Sequence, residues 1–195
     1  MATLVAHLQT TLNNRIATAA GTFWEPFPWG EAEVRYVNRT FAAADTWAMS
    51  RRVYDVVAPW WDTVAAGGVP DDAPPLTDAD REFAEIYAGL RKVVFSTTLP
   101  EAEGRTVVSG DVAGVLAELK AGEGRGVVLS CGPATLAPLA ATPGLIDEYL
   151  VVIHPAVVAE GRPMFDGLTA DLALELRESK VFEGGAVVLR YGVRA

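Results

Sequence analysis

The stretch that decides the fold is Asp45-Thr-Trp-Ala-Met-Ser-Arg-Arg-Val-Tyr-Asp55. Residues 45–49 form a short apolar run, which is typical of a buried strand. Ser50 follows at the position of a helix N-cap, and residues 51–60 predict the helix that it opens. The stretch therefore predicts a strand that passes directly into a helix, as in sheets built with helical crossovers.

Strands and helices alternate on both sides of this stretch. We predict further strands over residues 3–9, 92–96, 106–109, 126–130 and 148–154. We predict further helices over residues 33–44, over 77–90 with a Thr77–Asp80 capping box, over 111–120 from Asp111, and after Gly132-Pro133. The tail, residues 172–182 and 186–193, predicts two strands joined at Glu183-Gly-Gly185, which is a hairpin.

This order of elements predicts the fold class. Alternating strands and helices imply parallel crossovers, whereas the tail hairpin is antiparallel. We therefore predict an α/β fold, a three-layer αβα sandwich with a mixed, mostly parallel central sheet that ends in an antiparallel C-terminal hairpin. No linker divides the chain, so we expect one domain over residues 1–195.

The composition narrows the classes of partner and compartment. The formal net charge is −9, and an acidic surface repels phosphate backbones, so we expect no nucleic-acid partner. The one cysteine, Cys131, excludes an internal disulfide and fits the reducing cytoplasm. No signal peptide is evident at Met1, and the longest apolar run, residues 149–159, is shorter than the about 20 residues that span a bilayer. No His, Cys, Asp or Glu residues have metal-ligand spacing.

Polar or small residues follow four of the predicted strands. In open α/β sheets, ligands bind beyond the carboxyl ends of the strands. The segments at those ends are Asn13-Asn14, Ser50-Arg51-Arg52, Ser96-Thr97-Thr98 and Ser130-Cys131-Gly132-Pro133-Ala134-Thr135. The second and fourth open helices, whose N-termini suit phosphate groups. Together with Arg51 and Arg52, they make a dinucleotide a plausible ligand.

Several of these segments resemble motifs of the dihydrofolate reductase-like superfamily. The stretch from Asp45 to Asp55 resembles its D-T-x-x-x-G-R-R-T-Y-E segment, and Lys92-Val-Val-Phe-Ser-Thr-Thr-Leu99 resembles K-V-V-F-S-R-T-L. Gly161-Arg-Pro-Met-Phe-Asp166 is similar to G-x-P-L-F. The nearest likeness is to bacterial proteins related to the reductase domain of riboflavin biosynthesis. The resemblance implies an NADPH-dependent reductase that transfers hydride to a small heterocyclic or carbonyl substrate.

The resemblance also implies where cofactor and substrate bind. Ser50, Arg51 and Arg52 would meet the pyrophosphate or the adenosine end of NADPH, and Ser96 and Thr97 would face the adenosine 2′-phosphate. The pyrophosphate would lie on the helix that follows the fourth strand end, at Cys131, Gly132, Ala134, Thr135 and Leu136. The substrate would enter among Asn13, Asn14, Trp47 and Tyr54. Relatives commonly pair through the tail strands, so we expect a homodimer.

The chain departs from these motifs at four ligand positions. Asn13 stands in place of an acid, Ser50 in place of a glycine, and Thr97 in place of an arginine that would bind the 2′-phosphate. Cys131-Gly132 replaces a glycine pair whose peptide bond is often cis in the superfamily. These changes leave open an alternative, a non-catalytic relative that keeps the fold and binds another small molecule or acts as an oligomeric protein.

Other interpretations of single residues also stay open. Arg51 and Arg52 could be solvated residues of a first helical turn, although that turn prefers acids. Cys131 could be a nucleophile at a helix N-terminus, but lone cysteines are more often buried and inert. Asn13 and Asn14 suit a left-handed turn, and His154 suits a core position. The aromatic segments Trp24–Trp29 and Trp60-Trp61 could line a pocket or pack in the core.

Overall fold

The computed structural model of the chain describes residues 1–18, 27, 29–71 and 74–194. The predicted aromatic residue Trp24 therefore lies outside the described residues. The strands are β1 (Thr3–Thr11), β2 (Thr46–Ser50), β3 (Arg91–Phe95), β4 (Arg105–Val108), β5 (Gly126–Ser130), β6 (Glu148–His154), β7 (Leu174–Val181) and β8 (Val187–Val193). The helices are α1 (Glu31–Ala42), α2 (Arg51–Ala65), α3 (Asp78–Gly89), α4 (Val112–Ala121) and α5 (Pro133–Ala140).

The strands form an eight-stranded sheet in the order β4-β3-β2-β5-β1-β6-β8-β7. The pairs β1–β6, β2–β3 and β3–β4 are parallel, whereas β8 pairs antiparallel with both β6 and β7. The predicted mixed, mostly parallel sheet with an antiparallel C-terminal hairpin is confirmed. Helices α2 and α3 form the crossover between the parallel strands β2 and β3, whereas the loop over residues 96–104 joins β3 to β4. The turn after Phe182, with Gly185 at φ +87°, explains the hairpin.

The described chain divides into two compact units. The first comprises Met1–Ala2 and Gly30–Val128, and the second comprises Thr3–Trp29 and Leu129–Ala195. The expectation of one domain over residues 1–195 stays a prediction.

The first unit has an aromatic core between β2 and the helices α1, α2 and α3. The Trp47 ring makes edge contacts with Phe41, Phe83 and Tyr87 at centroid distances of 4.8, 5.9 and 6.1 Å. The Trp61 ring lies 4.5 Å from Phe83. Such ring pairs add to the large apolar area that each aromatic side chain buries, so this cluster holds the helices against β2 and β3.

Sequence signals explain where the helices of the first unit begin and end. The capping box of α3 is formed as predicted, because the Thr77 hydroxyl accepts from the Asp80 N–H and the Asp80 carboxylate accepts from the Thr77 N–H. Helix α2 runs to Ala65, five residues beyond the predicted end at Trp60. Val64 continues the buried stripe, and Gly67, with φ +81°, ends the helix because it tolerates the left-handed backbone.

The second unit is built on β1, β6 and the hairpin. Residues 4–8 of β1 and 149–152 of β6 are buried side by side, and the register places His7 beside Leu150 and Thr11 beside His154. Helix α5 follows β5 and buries Leu136 and Leu139. None of the helices in the described residues of the two units is long and apolar enough to cross a bilayer.

Candidate functional site

The first candidate segment is the junction of β2 and α2 in the first unit. Ser50 has extended backbone, φ −68° and ψ 154°, and stands at the N-cap position as predicted. Its side chain makes no capping hydrogen bond, so capping does not explain the serine. The first backbone N–H groups of a helix have no hydrogen-bond acceptor within the helix, and the side chain of Ser50 supplies no acceptor for those of α2. They can therefore serve an external anion.

The two arginines of this junction differ in their surroundings. The Arg51 Nε donates to the Asp55 carboxylate at 2.6 Å, one turn along α2. Asp55 therefore provides the anion that compensates a cation in the first helical turn, which supports the structural interpretation of Arg51. Arg52 is exposed on the same turn. Both arginines stay candidates for a phosphate contact.

The second candidate segment is the loop that follows β3, also in the first unit. The Ser96 Oγ accepts from the backbone N–H groups of Thr98 at 3.2 Å and Leu99 at 2.9 Å, so the serine builds a tight turn. Thr97 lies exposed at its tip. Farther along, the Glu101 carboxylate accepts from the Val107 N–H at 3.0 Å. The loop is thus tied at its start and at the edge of β4.

Arg105, a residue that no sequence motif singled out, also fixes this loop by hydrogen bonds. The Arg105 guanidinium donates to the Pro100 carbonyl from Nη2 at 2.9 Å and from Nε at 3.3 Å. Its Nη1 donates to the Tyr54 hydroxyl at 3.0 Å. Tyr54 was predicted from the resemblance to face substrate; the structure places its hydroxyl on Arg105. Arg105 and Tyr54 are 51 residues apart in the chain, so no local sequence pattern could have found this contact.

Trp47 needs a correction. The resemblance predicted that it would touch substrate, but only 4% of the residue is exposed, and its ring lies in the aromatic core of the first unit. A β2 residue whose side chain alternates toward the helices is buried by α1 and α3. Trp47 is therefore a packing residue, and Tyr54 is the one aromatic residue of the predicted substrate set.

The third candidate segment is the junction of β5 and α5. Gly132 stands at the N-cap with extended backbone, φ −82° and ψ 175°, and Pro133 occupies the first turn. A proline is suited to that position because its missing N–H would lack a partner there. No cis peptide bond occurs among the described residues, so Cys131-Gly132 does not reproduce that feature of the superfamily. Leu136 is fully buried, so only its backbone could meet a ligand.

Cys131 is not a nucleophile in this structure. Only 6% of the residue is exposed, and burial raises the pKa of its thiol to about 12. A helix N-terminus lowers a thiol pKa, but here the loss of hydration dominates. The thiol therefore stays protonated near neutral pH, and the interpretation as a buried, inert cysteine is the correct one.

The fourth candidate segment is the loop after β1 in the second unit. Asn14 has a left-handed backbone, φ 60°, as predicted. The Asn13 amide oxygen accepts from the Thr11 hydroxyl at 2.8 Å, and its nitrogen donates to the Val158 carbonyl at 2.8 Å. The amide therefore joins this loop to the segment after β6, and its predicted contact with substrate stays a prediction.

Two described residues of the aromatic segment pack on a buried histidine. The rings of Phe27 and Trp29 lie 4.7 and 5.2 Å from the His154 ring, and His154 is fully buried. His154 is thus a core residue, as expected. Its neighbour His7 is also buried, and burial, reinforced by His154 and Arg190, lowers the pKa of His7 to about 4. Both rings are therefore structural in this unit.

The helices that follow β2, β4 and β5 differ in how they begin. Helix α4 carries an anionic cap, since the Asp111 carboxylate accepts from the Gly114 N–H at 2.9 Å. Helices α2 and α5, the two that were predicted to bind phosphate, have no side-chain cap. An acid at the N-cap would occupy the donors and repel a phosphate. The residues at both junctions therefore fit phosphate groups, each within its own unit.

Two other features of the described residues bear on ligand binding. A shallow depression of about 510 Å³ lies at the amino ends of β3 and β4, lined in part by Arg91 and Lys92. There the Lys92 ammonium donates to the Tyr87 carbonyl at 2.8 Å and caps the end of α3, which gives it a structural role. No group of three or more metal-binding side chains occurs in the part of the chain that the structure describes.

Comparison with known proteins identifies the family. The model of the RibD C-terminal domain family matches residues 2–188. The uncharacterized protein YyaP of Bacillus subtilis (strain 168) is 27% identical over 124 residues, which are 63% of this chain and 64% of that protein. The chain thus matches less than two thirds of the length of this relative.

Solved structures share the fold. A protein assigned to riboflavin biosynthesis in Shewanella sp. PV-4 superposes with a TM-score of 0.70 at 20% identity, with each chain covered in full. Dihydrofolate reductase from Enterococcus faecalis, in complex with NADP(H) and RAB-propyl, superposes with a TM-score of 0.62 at 15% identity over 99% of this chain and 97% of that one. The resemblance inferred from the motifs is confirmed, and the chain belongs to the RibD C-terminal domain family of reductase-like domains.

Proposed function

We propose that the protein is an NADPH-dependent reductase that transfers hydride to a small heterocyclic or carbonyl substrate. The observation that carries the proposal is the difference among the three strand-end helices. Helix α4 has an anionic side-chain cap, whereas α2 and α5, in the positions where the resemblance expects the cofactor phosphates, have none. Among these three helices, the first N–H groups lack a side-chain cap at the two where the family's cofactor phosphates are expected.

The protein's part in such a reaction is to bind and orient. When bound, NADPH supplies the hydride. In the first unit we assign phosphate contacts to the backbone after Ser50 and to Arg52, and the adenosine end to Ser96 and Thr97. In the second unit we assign phosphate contacts to the backbone from Gly132 to Leu136, including Ala134 and Thr135. The substrate side of the proposal retains Asn13, Asn14 and Tyr54.

A second candidate function, a non-catalytic binding protein, is favoured by one specific observation. The Arg51 charge is already paired with Asp55, and Thr97 is neutral at the position of the superfamily's arginine. Such a site offers a 2′-phosphate less charge than the motifs imply. This candidate predicts a folded protein without reductase activity and with weak or absent nicotinamide binding.

Titration with NADPH separates the two candidates. The purified chain should bind NADPH with a micromolar Kd, measured by quenching of tryptophan fluorescence and by a rise of the unfolding temperature. The absence of any shift with NADPH or NADH at millimolar concentration would refute the reductase. A folded protein that binds NADPH weakly or not at all, and does not oxidise it in the presence of a panel of heterocyclic and carbonyl substrates, would favour the binding protein.

We also propose that the protein is a cytoplasmic homodimer. Leu176 and Val181 of β7 are 53% and 73% exposed. The register pairs them with Tyr191 and Val187 of β8, so the four side chains share one face of the hairpin. An exposed apolar face of this kind is typical of an association surface. Light scattering should report a dimer, and Val181→Lys should shift it toward the monomer, whereas Val157→Lys, at a 68% exposed valine elsewhere, should not.

A further inference from the structure

The depression at the amino ends of β3 and β4 collects positive charge within an acidic chain. It lies in the first unit and has a volume of about 510 Å³. Arg91, Lys92 and Arg105 line it, together with Gly89 and Gly104. None of the described residues that line it is acidic, whereas the whole chain carries 25 acidic and 16 basic residues. Such a local excess of cations attracts anions.

The sheet places two of these cations side by side. Lys92 and Arg105 are partners in the parallel register of β3 and β4. Neighbouring strands lie about 4.8 Å apart, and residues in register point to the same face of the sheet. Like charges at such a cross-strand position repel each other and destabilise the pairing. A bound anion would relieve this repulsion.

Contacts within the protein hold both cations without neutralising them. The Lys92 ammonium donates to the Tyr87 carbonyl at 2.8 Å and lies 4.1 Å from the centre of the Tyr87 ring. The Arg105 guanidinium donates three N–H groups, two to the Pro100 carbonyl and one to the Tyr54 hydroxyl. All these acceptors are neutral. Two donors of the ammonium and two of the guanidinium find no hydrogen-bond acceptor among the described residues.

No counterion for these cations is engaged within the described part of the chain. Arg91 is exposed, and neither it nor Lys92 nor Arg105 forms a salt bridge with a described residue. The acid that acts on Lys92 is Asp62 of α2, whose carboxylate accepts from the Tyr87 hydroxyl at 2.7 Å. Burial lowers the pKa of Lys92 and outweighs the attraction of Asp62. An anion in the depression would therefore stabilise the charged ammonium.

We propose that this depression is a second ligand site, which binds a small anion that carries a phosphate group. A phosphate dianion can accept from several cations at once, and the fixed fork of an arginine matches its oxygens. The volume falls within the range of about 300–1,000 Å³ for small-molecule sites, so an organic group attached to the phosphate also fits. The site lies at the ends of β3 and β4 away from the strand-end loops, and the inference does not rest on the proposed reductase.

Titration of the isotope-labelled full chain with inorganic phosphate, followed by NMR at about pH 8 and constant ionic strength, tests the site. The amide signals of Gly89, Gly104 and Thr106 should shift with a Kd of about 1 mM or lower. Acetate, a monoanion, should bind at least about tenfold more weakly. Tighter binding of phenyl phosphate than of inorganic phosphate would assign the site to a phosphomonoester, and equal binding would assign it to free phosphate.

Two variants remove a cation, and a third is their control. Arg105→Gln should weaken phosphate binding by about tenfold. Arg91→Gln should weaken it by about fivefold, because Arg91 is more exposed to solvent. Arg35→Gln removes the same charge elsewhere in the first unit, from a guanidinium that is already paired with Glu31 and Glu82. It should leave the Kd unchanged.

A charge introduced at Gly89 keeps the test decisive if Arg105→Gln fails to fold. A side chain at Gly89 would meet no atom within 4 Å, so Gly89→Glu fits the fold and brings a carboxylate to the depression. It should abolish phosphate binding, whereas the neutral Gly89→Gln should retain most of it.

Three results would overturn the proposal. They are the absence of local shifts at millimolar phosphate, equal weakening in Arg35→Gln and Arg91→Gln, and unchanged binding in Gly89→Glu. Shifts confined to the amides that follow Ser50 and Gly132 would also overturn it, and would leave the proposed reductase standing.

Discussion

Lowering the pH from about 8 to about 5.5 should destabilise the folded chain, because the buried His7 ring is neutral in the fold and becomes protonated when the chain unfolds. The pKa of His7 falls from 6.5 to about 4, mainly through burial and then through His154 and Arg190. Between these two values the unfolded state binds more protons than the folded state. The contribution of His7 to stability is therefore fully present above pH 6.5 and is lost as the pH falls toward 4.

The size of the effect follows from the same two values. A displacement from 6.5 to about 4 corresponds to about 3 kcal/mol when the loss is complete. At about pH 5.5, where most carboxylates are still ionised, the loss is about 1 kcal/mol. That is a measurable fraction of the about 5–15 kcal/mol by which domains are stable.

Urea denaturation followed by tryptophan fluorescence measures the loss at a series of pH values. The control is His7→Gln, which has no titrating ring at this position and should lose much less stability between about pH 8 and about pH 5.5. The comparison uses the slope with pH, so an overall loss of stability in the variant does not affect it. Equal slopes in the two proteins would show that His7 is not the group that takes up the proton.

Three further predictions concern the candidate site. Ser50→Asp should stabilise α2 by about 1 kcal/mol as an N-cap and yet weaken NADPH binding, whereas Asp111→Asn should leave NADPH binding unchanged. Thermal unfolding measures the first effect and titration with NADPH the second. Unaltered NADPH binding in Ser50→Asp would contradict the phosphate assignment. Trp47→Ala should lower the free energy of unfolding by about 3–5 kcal/mol, because the ring packs in the core. If the ring were mainly a ligand contact, the decrease would be small. Cys131 should resist iodoacetamide at neutral pH in the folded protein and react in urea, as mass spectrometry would show.

Much of the fold could be predicted from the sequence because its signals are local. The strand–helix stretch around Ser50 follows from a short apolar run and the residues next to it. The capping box at Thr77 and the cap at Asp111 each join residues only three positions apart. The hairpin also follows from a short glycine-containing turn. The end of α2 was missed because the apolar stripe continues through Val64, beyond the predicted end at Trp60.

The site was less predictable because its contacts depend on tertiary structure. Burial of Trp47 depends on α1 and α3, and the raised pKa of Cys131 depends on the residues that exclude water from it. The contact between Arg105 of β4 and Tyr54 of α2 joins two residues that are 51 positions apart in the chain. Motif resemblance predicted phosphate contacts at two junctions, and only the structure shows that the helices there, α2 and α5, lack the side-chain cap that α4 carries.

The tie between Glu101 and Val107 bears on how copies of this chain can associate. Strand β4 ends the sheet on one side, and its outward N–H groups at Arg105 and Val107 are taken by the Ala102 carbonyl and the Glu101 carboxylate. An incoming strand therefore finds neither of these two donors free. An edge whose outward donors are satisfied within its own chain resists the addition of a further strand, so we expect copies of this chain not to associate through β4.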